Sequence, residues 1–415
     1  MNGLYSALLT GVAHLSKVLS GFILLKLIAY YLGAEGLGAL GHFMSLVAIL
    51  SMLAGGGVVN GVIKYVSEFK STPRKMMIFI TASTKYSLVF SFSVLLIGTV
   101  FSGFISTFIF GSPDFYLVIV CLALAQVGFA FSNLVIGVIN GLRETKIYAK
   151  LQIIGNLISL PLAYLFIINY GFTGAAFGIV AIYVAYSIPA FYYFYKSPFY
   201  GRVFKYKPAA INYKKLSLFT AMLVSSAVAF PVVEIFIREY LIDASGYKEA
   251  GLWQGAIKLS SAYLGFFGVF LAYYFMPLIS ATENKSDITQ YVVRFSALIM
   301  GLFLIGAGTL YGFRGFFIPL LLSNDFVVLQ NYIIFQLIGD FFRISAYVIG
   351  FVGVAKAATK IYIFAELFQS VCFFSLALFL SKYYLPLEGV FVGYMLTYIL
   401  YFLIAVCGFM WWGRR

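Results

Sequence analysis

The chain is too apolar to be a soluble protein of its length. Of its 415 residues, 62% are hydrophobic and 10% charged, and the mean hydropathy is +0.98, whereas a soluble protein carries about a quarter charged residues. The net charge of +14 has the sign expected for nucleic-acid binding. However, most of the cations fall in the turns between apolar runs, which is typical of a membrane protein.

Apolar runs of about 20 residues recur along the whole chain, and each can cross a hydrocarbon core of about 30 Å as a helix. Because open sheet edges cannot be left in lipid, the pattern predicts an all-α polytopic membrane protein. We predict twelve spans, at residues 6–32, 39–62, 77–101, 115–140, 147–169, 174–195, 216–237, 251–276, 291–311, 329–353, 361–380 and 389–411. The first span is not expected to be a cleaved signal peptide, because it lacks a basic n-region and carries Lys17 and Lys26.

The first span also carries a polar stripe. Thr10, His14, Lys17 and Gly21 are spaced by 4, 3 and 4 residues, which places them on one side of a helix. Lys26 follows Lys17 by nine residues, so it lies on the opposite face. An ionised side chain is costly in lipid and should face a cavity or a partner, so both lysines are candidate substrate-binding residues.

Two further features carry no assigned chemistry. Gly55, Gly56 and Gly57 in the second span form either a hinge or a site of close packing, and the sequence leaves both readings open. The cysteines are odd in number and lie inside spans, so we expect no disulfide framework, no metal site and no cofactor. These are Cys121, Cys372 and Cys407.

Cations are distributed unevenly between the two sides of the membrane. With both termini in the cytoplasm, the cytoplasmic segments hold 18 of the 28 cations and the opposite turns hold four, including Arg238. This positive-inside bias explains most of the basic charge, together with contact with anionic membrane lipids, and no nucleic-acid partner is expected. Arg294 and Glu234 lie near the ends of their spans and are expected to snorkel. Six cations lie within spans: Lys17, Lys26, Lys85, Lys258, Arg294 and Arg343.

The two halves of the sequence repeat each other. "VIGVINGLRETKIY" (135–148) returns as "VIGFVGVAKAATKIY" (348–362), at an offset of 213 residues that becomes 214. Four residues recur at an offset of 215, namely Gly174, Gly178, Tyr183 and Tyr186, as Gly389, Gly393, Tyr398 and Tyr401. Six spans in each half give two parallel lobes around a central cleft, as in alternating-access carriers. We predict an N-terminal lobe at 1–195, a basic cytoplasmic linker at 196–215 and a C-terminal lobe at 216–415.

A second lysine stripe lies in the eighth span. Lys258 is followed by small residues at helical spacing, namely Ser261, Gly265, Gly268 and Ala272. Such a face indicates either close helix packing or a groove for a bulky anionic guest. Lys258 is accordingly a candidate substrate-binding residue, with both readings open.

The tenth span contains "GDFFRIS" in an otherwise apolar run, and its stripe is Gln336, Asp340, Arg343 and Tyr347. Asp340 and Arg343 are one turn apart and are expected to pair directly. The pair is either a structural element that fixes helix packing or a switch, in which Arg343 binds phosphate and Asp340 accepts a proton.

Comparison of the repeats adds Glu366 to the candidate ion-coupling residues. At an offset of 214, Glu366 corresponds to the neutral Gln152. At an offset of 213, Asp340 and Arg343 correspond to Val127 and Ala130, so these charges occur in one half only. Cations within spans outnumber acids six to three, which favours an anionic substrate such as a diphosphate.

Several segments, in the same order along nearly the whole chain, resemble the Wzx-type flippases of the multidrug/oligosaccharidyl-lipid/polysaccharide exporter superfamily. They are "YYLGAEGLGALGHF", "LAGGGVVNGVIKYVSE", "GLWQGAIKLSSAYL" with "MPLIS", "LLSNDF", "FQLIGDFFRISAYVIGFVGVAKA" and "IYIFAEL". The branch of the O-antigen and enterobacterial common antigen flippases is the most similar. The resemblance implies a MATE-like fold in the bacterial inner membrane. It also implies an undecaprenyl-diphosphate-linked oligosaccharide as substrate, with the polysaccharide polymerase and chain-length regulator of the pathway as partners.

Two other classes of function remain as alternatives. One is a secondary exporter of a different substrate, such as a multidrug exporter or a major-facilitator porter. The other is a membrane polymerase or ligase, which would need a larger periplasmic loop with catalytic groups than this sequence offers. The absence of a G-x-x-x-x-G-K-[ST] motif predicts transport driven by an ion gradient and not by ATP.

Overall fold

The computed structural model describes residues 3–356 and 358–414, and these residues form helices joined by short turns, with no β-strand among them. The helices of the first half are α1 (Gly3–Ala39), α2 (Gly41–Leu53), α3 (Val59–Glu68), α4 (Pro73–Val100), α5 (Ser102–Phe110), α6 (Tyr116–Gly141) and α7 (Thr145–Tyr195). Those of the second half are α8 (Ala210–Ser245), α9 (Tyr247–Phe270), α10 (Met276–Ala281), α11 (Lys285–Gly312), α12 (Arg314–Leu321), α13 (Ile333–Ala355), α14 (Thr359–Leu380) and α15 (Pro386–Arg414).

Each of the twelve predicted spans lies on helical structure. In the described part of the chain, nine helical stretches are long and apolar enough to cross a membrane. One of them is α7, which contains the fifth and sixth predicted spans on either side of Gly171, where a φ of 54° interrupts the helix. The seventh and eighth spans lie on α8 and α9, outside those nine stretches. The all-α multi-pass fold is confirmed, and a count of twelve spans is consistent with it.

The chain forms two compact units whose limits differ from the predicted lobes in two places. The first unit contains residues 1–31 and 42–231, and the second contains residues 32–41 and 232–415. The end of α1 therefore belongs to the second unit, and Gly33, with a φ of 66°, breaks the helix next to that boundary. The first half of α8 belongs to the first unit. The division into lobes at 195 and 216 follows from the sequence repeat and stays a prediction.

Glycines allow the segment 32–41 to pack closely within the second unit. A Cβ atom on Gly251 would lie 1.7 Å from the carbonyl oxygen of Ala34, and one on Gly38 would lie 2.1 Å from that of Tyr247. Backbone atoms cannot move aside as the end of a flexible side chain can. The segment and α9 can therefore approach each other this closely only without side chains.

Replacing Gly251 by Ala should lower stability, because α9 must move away from Ala34 to make room for the methyl group. Overpacking of this kind typically costs about 1–3 kcal/mol. Gly265→Ala on the same helix is the matched control, since nothing lies within 4 Å of a Cβ there. Thermal unfolding of the two variants in detergent measures the difference. Equal melting temperatures would contradict the close approach.

The glycine triplet of the second predicted span is a fixed break between α2 and α3. Gly55, Gly56 and Gly57 have φ values of 67°, 80° and 63°, a left-handed conformation that favours glycine. All three are buried, and a Cβ on Gly55 would lie 2.2 Å from Oγ of Ser87. The hydroxyl of Thr220 donates a hydrogen bond to the carbonyl of Gly56. The triplet thus combines an unusual backbone conformation with close packing.

Candidate functional site

A fully buried carboxylate on α13 is the centre of a hydrogen-bonded network in the second unit. Asp340 is 0% exposed. Ser260 on α9 donates to both of its oxygens at 2.7 Å, and the hydroxyl of Tyr263 donates to Oδ2. Tyr394 on α15 donates to Oδ1 at 2.6 Å, and Nε2 of Gln336 lies 3.4 Å from both oxygens. A buried charge requires such partners, and here α9, α13 and α15 all supply them.

Arg343 extends the same network toward a set of tyrosines. Its side chain is half-buried. Nε donates to the hydroxyl of Tyr347 and Nη1 to that of Tyr394, both at 2.9 Å. The guanidinium carbon lies 4.8 Å from the centre of the Tyr398 ring, within the range of a cation–π contact. We call Asp340, Arg343 and Tyr394 the central triad.

Asp340 and Arg343 share Tyr394 as a hydrogen-bond partner, because its hydroxyl accepts from Arg343 and donates to Asp340. The two charges also interact with each other, and a direct pair between them stays a prediction. A phenol has one proton to donate and lone pairs to accept with, so it can connect an acid and a base without direct contact. Tyr394 therefore links the two charged side chains through its hydroxyl.

Sequence periodicity explains how α13 presents this network. Ile344, Val348 and Val352 face the apolar core of the second unit, while the stripe that includes Asp340 and Arg343 occupies another side. The glycine of "GDFFRIS" lets α15 approach, because a Cβ on Gly339 would lie 2.6 Å from the ring of Tyr394. Close helix contact therefore brings the Tyr394 hydroxyl to both charges.

Glu366 on α14 lies near the central triad. It is half-buried, and Nε2 of Gln369 donates to its Oε2 at 2.8 Å. Its charge interacts with that of Arg343 and with the side chains of Tyr362 and Tyr401. The structure therefore brings together three predicted site residues, Asp340, Arg343 and Glu366.

Lys258 belongs to a different charged cluster of the second unit. It is half-buried on α9, and its charge interacts with Glu234 and Arg238 on α8. Arg238 is 0% exposed. Its Nη2 donates to Oε1 of Gln254 at 2.6 Å, and its guanidinium lies 5.7 Å from the centre of the Trp253 ring.

Two sequence-based expectations about this cluster are wrong. Glu234 does not snorkel, because it is 7% exposed, and Arg238 is not in a turn. Both errors have one cause, since α8 continues to Ser245 and not to the predicted end at residue 237. The spacing of four residues between the two charges was the signal available in the sequence.

The two lysine stripes have open surfaces. Lys17 and Gly21 are exposed on α1, on the side opposite to exposed Leu15 and Leu19, since each residue turns a helix by about 100°. In the described chain, nothing lies within 4 Å of a Cβ built on Gly21, Gly265 or Gly268. For the Lys258 stripe, this favours an open groove over close helix packing. Lys26 is half-buried on α1.

Comparisons with known proteins agree with this architecture. The family described as "Polysaccharide biosynthesis protein" matches residues 4–283. The chain is 32% identical over 415 residues to the lipid III flippase of Escherichia coli (strain K12), covering 99% of each chain, and equally similar to that of Shigella flexneri.

Solved structures share the fold at low sequence identity. An inward-facing MATE multidrug transporter of the MOP superfamily has a TM-score of 0.72 at 15% identity, covering 96% of this chain and 94% of that one. The lipid II flippase MurJ in an inward closed conformation has a TM-score of 0.72 at 14% identity, covering 97% and 87%. The similar proteins are named as flippases and transporters, in line with the expected transporter. The chain belongs to the polysaccharide biosynthesis protein family, and its predicted kinship with the Wzx-type flippases of the MOP superfamily is confirmed.

Proposed function

We propose that this protein moves an undecaprenyl-diphosphate-linked oligosaccharide from the cytoplasmic to the periplasmic leaflet of the bacterial inner membrane. The observation that carries the proposal is full-length similarity to two lipid III flippases. Transport would proceed by ion-coupled alternating access, with both termini in the cytoplasm. The repeat unit would be that of O-antigen or of the enterobacterial common antigen.

The cations of the site suit a diphosphate head group. The guanidinium of Arg343 can form paired hydrogen bonds with phosphate oxygens, whereas Lys17 and Lys258 act as compact point charges. Lys17 is exposed beside Gly21, and Lys258 precedes the open face at Gly265, so both stripes leave room for a bulky guest. Lys26 is assigned to the same role.

Asp340 and Glu366 are the proposed ion-coupling residues. The substrate diphosphate would draw Arg343 away from Tyr394. Asp340 would then lose a nearby positive charge that favours its ionised form, and proton uptake would become more favourable. Tyr394 is hydrogen-bonded to both groups, so a movement of Arg343 on substrate binding would change the hydrogen bonding of the Asp340 carboxylate. Glu366 interacts with the same guanidinium, which makes it the second candidate for proton uptake.

Depletion of the protein identifies the cargo. If it is the flippase, the lipid-linked sugar that it carries should accumulate on the cytoplasmic leaflet, and mass spectrometry of the extracted lipid identifies the repeat unit. If no lipid-linked sugar accumulates on depletion, the proposed function is contradicted. Cross-linking in the same cells tests the proposed association with the polysaccharide polymerase and chain-length regulator.

Ion coupling has its own test in phospholipid vesicles that contain the purified protein. We expect accumulation of the lipid-linked oligosaccharide in one leaflet only when an ion gradient is imposed. Glu366→Gln, which keeps the shape of the side chain and removes its charge, should reduce gradient-driven accumulation by at least about tenfold, since a removed proton site cannot couple. Equal accumulation with and without any gradient would contradict the coupling.

Multidrug export is the second candidate function, because the MATE transporters share the fold. Within the spans, the balance of charge argues against a cationic drug, and Arg238, which lies inside α8, adds another cation. Transport of a cationic dye by the reconstituted protein, without transport of lipid-linked sugar, would favour this alternative.

A further inference from the structure

The first unit contains a cluster of neutral polar side chains to which the proposed function gives no role. Gln152, Asn156 and Tyr186 on α7 are 8%, 4% and 7% exposed. The hydroxyl of Tyr186 donates to Oδ1 of Asn156 at 2.5 Å, and Nδ2 of Asn156 donates to Oγ of Ser16 on α1 at 3.0 Å. Tyr148 packs in the same core cluster as Tyr186. We call Tyr148, Gln152, Asn156 and Tyr186 the amide site.

One acceptor of the amide site is buried without a hydrogen bond. Over the part of the chain that the structure describes, Oε1 of Gln152 has no donor, and a buried polar atom in this state calls for a ligand or a water molecule. His14 contacts Tyr148, with ring centroids 6.2 Å apart. His14 is half-buried and Lys17, one turn along α1, is exposed. The amide site therefore adjoins an open surface of α1.

The amide site has an acidic counterpart in the second unit. Three of its positions match at offsets of 214 or 215: Tyr148 with Tyr362, Gln152 with Glu366, and Tyr186 with Tyr401. In the structure, both tyrosines of the second set interact electrostatically with Glu366. The repeat thus keeps two tyrosines and one polar position at matching places in the sequence, and the polar residue is a carboxylate in one unit and an amide in the other.

We propose that the amide site binds the sugar hydroxyl groups of the transported oligosaccharide, an inference that rests on the proposed function. An amide both donates and accepts hydrogen bonds, as sugar hydroxyls do, and its lack of charge gives it no preference for a diphosphate. The rings of Tyr148 and His14 supply apolar faces next to these polar atoms, which suits the mixed surface of a pyranose. A carboxylate at position 152 would instead prefer cations.

Gln152→Leu is the informative variant. It keeps nearly the same volume, and because Oε1 makes no hydrogen bond in the described chain, removing this oxygen should cost the folded protein little stability. Two synthetic probes are compared for binding to the detergent-solubilised full chain: a polyprenyl diphosphate bearing a trisaccharide, and the same polyprenyl diphosphate without sugar. The preference is the affinity for the trisaccharide probe divided by the affinity for the sugar-free probe. We expect this ratio to be about tenfold lower in the variant, which is the size of one lost hydrogen bond to a buried polar group.

Ser93→Ala is the control and should keep the wild-type preference, because Ser93 is exposed on α4 and its hydroxyl bonds only within its own helix in the described structure. The inference is overturned if Gln152→Leu keeps the wild-type preference, or if it weakens both probes equally, as a general structural defect would. Failure of the wild-type protein to bind either probe would instead overturn the proposed function.

Discussion

The double variant Asp340→Leu with Arg343→Met is expected to fold and insert into the membrane but to carry no substrate. Removing one member of a buried charged pair typically costs about 3–5 kcal/mol, whereas replacing both by apolar residues of similar volume is often nearly neutral. Asp340→Ala alone should therefore fold poorly, since it leaves the guanidinium of Arg343, which Tyr394 connects to Asp340, without its acidic partner. Membrane abundance and complementation of a depleted strain measure the two effects separately.

Asp340→Asn is the control for this experiment. It keeps an acceptor oxygen for Tyr394 but has no carboxylate to take up and release a proton. Its membrane abundance should therefore exceed that of Asp340→Ala, while ion-driven accumulation is lost. Transport by a well-expressed double variant would show that the central triad is only a packing element. Poor expression of the double variant together with normal expression of Asp340→Ala would contradict the expectation that losing one charge costs more stability than replacing both.

Lys17→Ala and Lys258→Ala should each abolish complementation while membrane abundance stays near normal. Each removes a cation assigned to the substrate diphosphate, and neither lysine is fully buried, so little packing is lost. Lys→Arg at either position should restore part of the activity, because the charge returns but the compact ammonium geometry does not. Growth of the depleted strain and immunoblots of its membranes measure activity and abundance.

Arg294→Ala is the matched control for the lysine variants. Arg294 is also a cation within a predicted span, but it is exposed in the N-terminal half of α11 and has no assigned role. It should support wild-type growth. Full activity of both lysine→Ala variants would return Lys17 and Lys258 to a role in packing or in contact with lipid.

Hydropathy alone was enough to predict the helical fold, because lipid allows the backbone few other structures. The ends of helices were harder, as α8 shows. Charges near its C-terminal end made the sequence of residues 238–245 typical of a turn, whereas Gln254 on α9 accepts a hydrogen bond from Arg238 and allows it to stay inside the unit. Tertiary contacts of this kind leave no local signal in a sequence.

The central triad was predicted in part for the same reason. The spacing of Asp340 and Arg343 placed them on one helical stripe, and this is where the structure has them. Tyr394 comes from a helix 51 positions further on than Arg343, and it is one of 32 tyrosines in the chain. Composition could not single it out. Gly339 was visible in "GDFFRIS", but the sequence does not show that its lack of a side chain makes room for the ring of Tyr394 on α15.

The assignment of residues 32–41 to the second unit has a consequence for biosynthesis. During translation this segment is made before most of the first unit, but Tyr247 and Gly251, against which it packs, are made more than 200 residues later. The end of α1 therefore lacks its final contacts in the nascent chain until α9 has been synthesised. Separate expression of residues 232–415 should give an incomplete unit, and co-expression of a fragment that contains residues 32–41 should improve its yield.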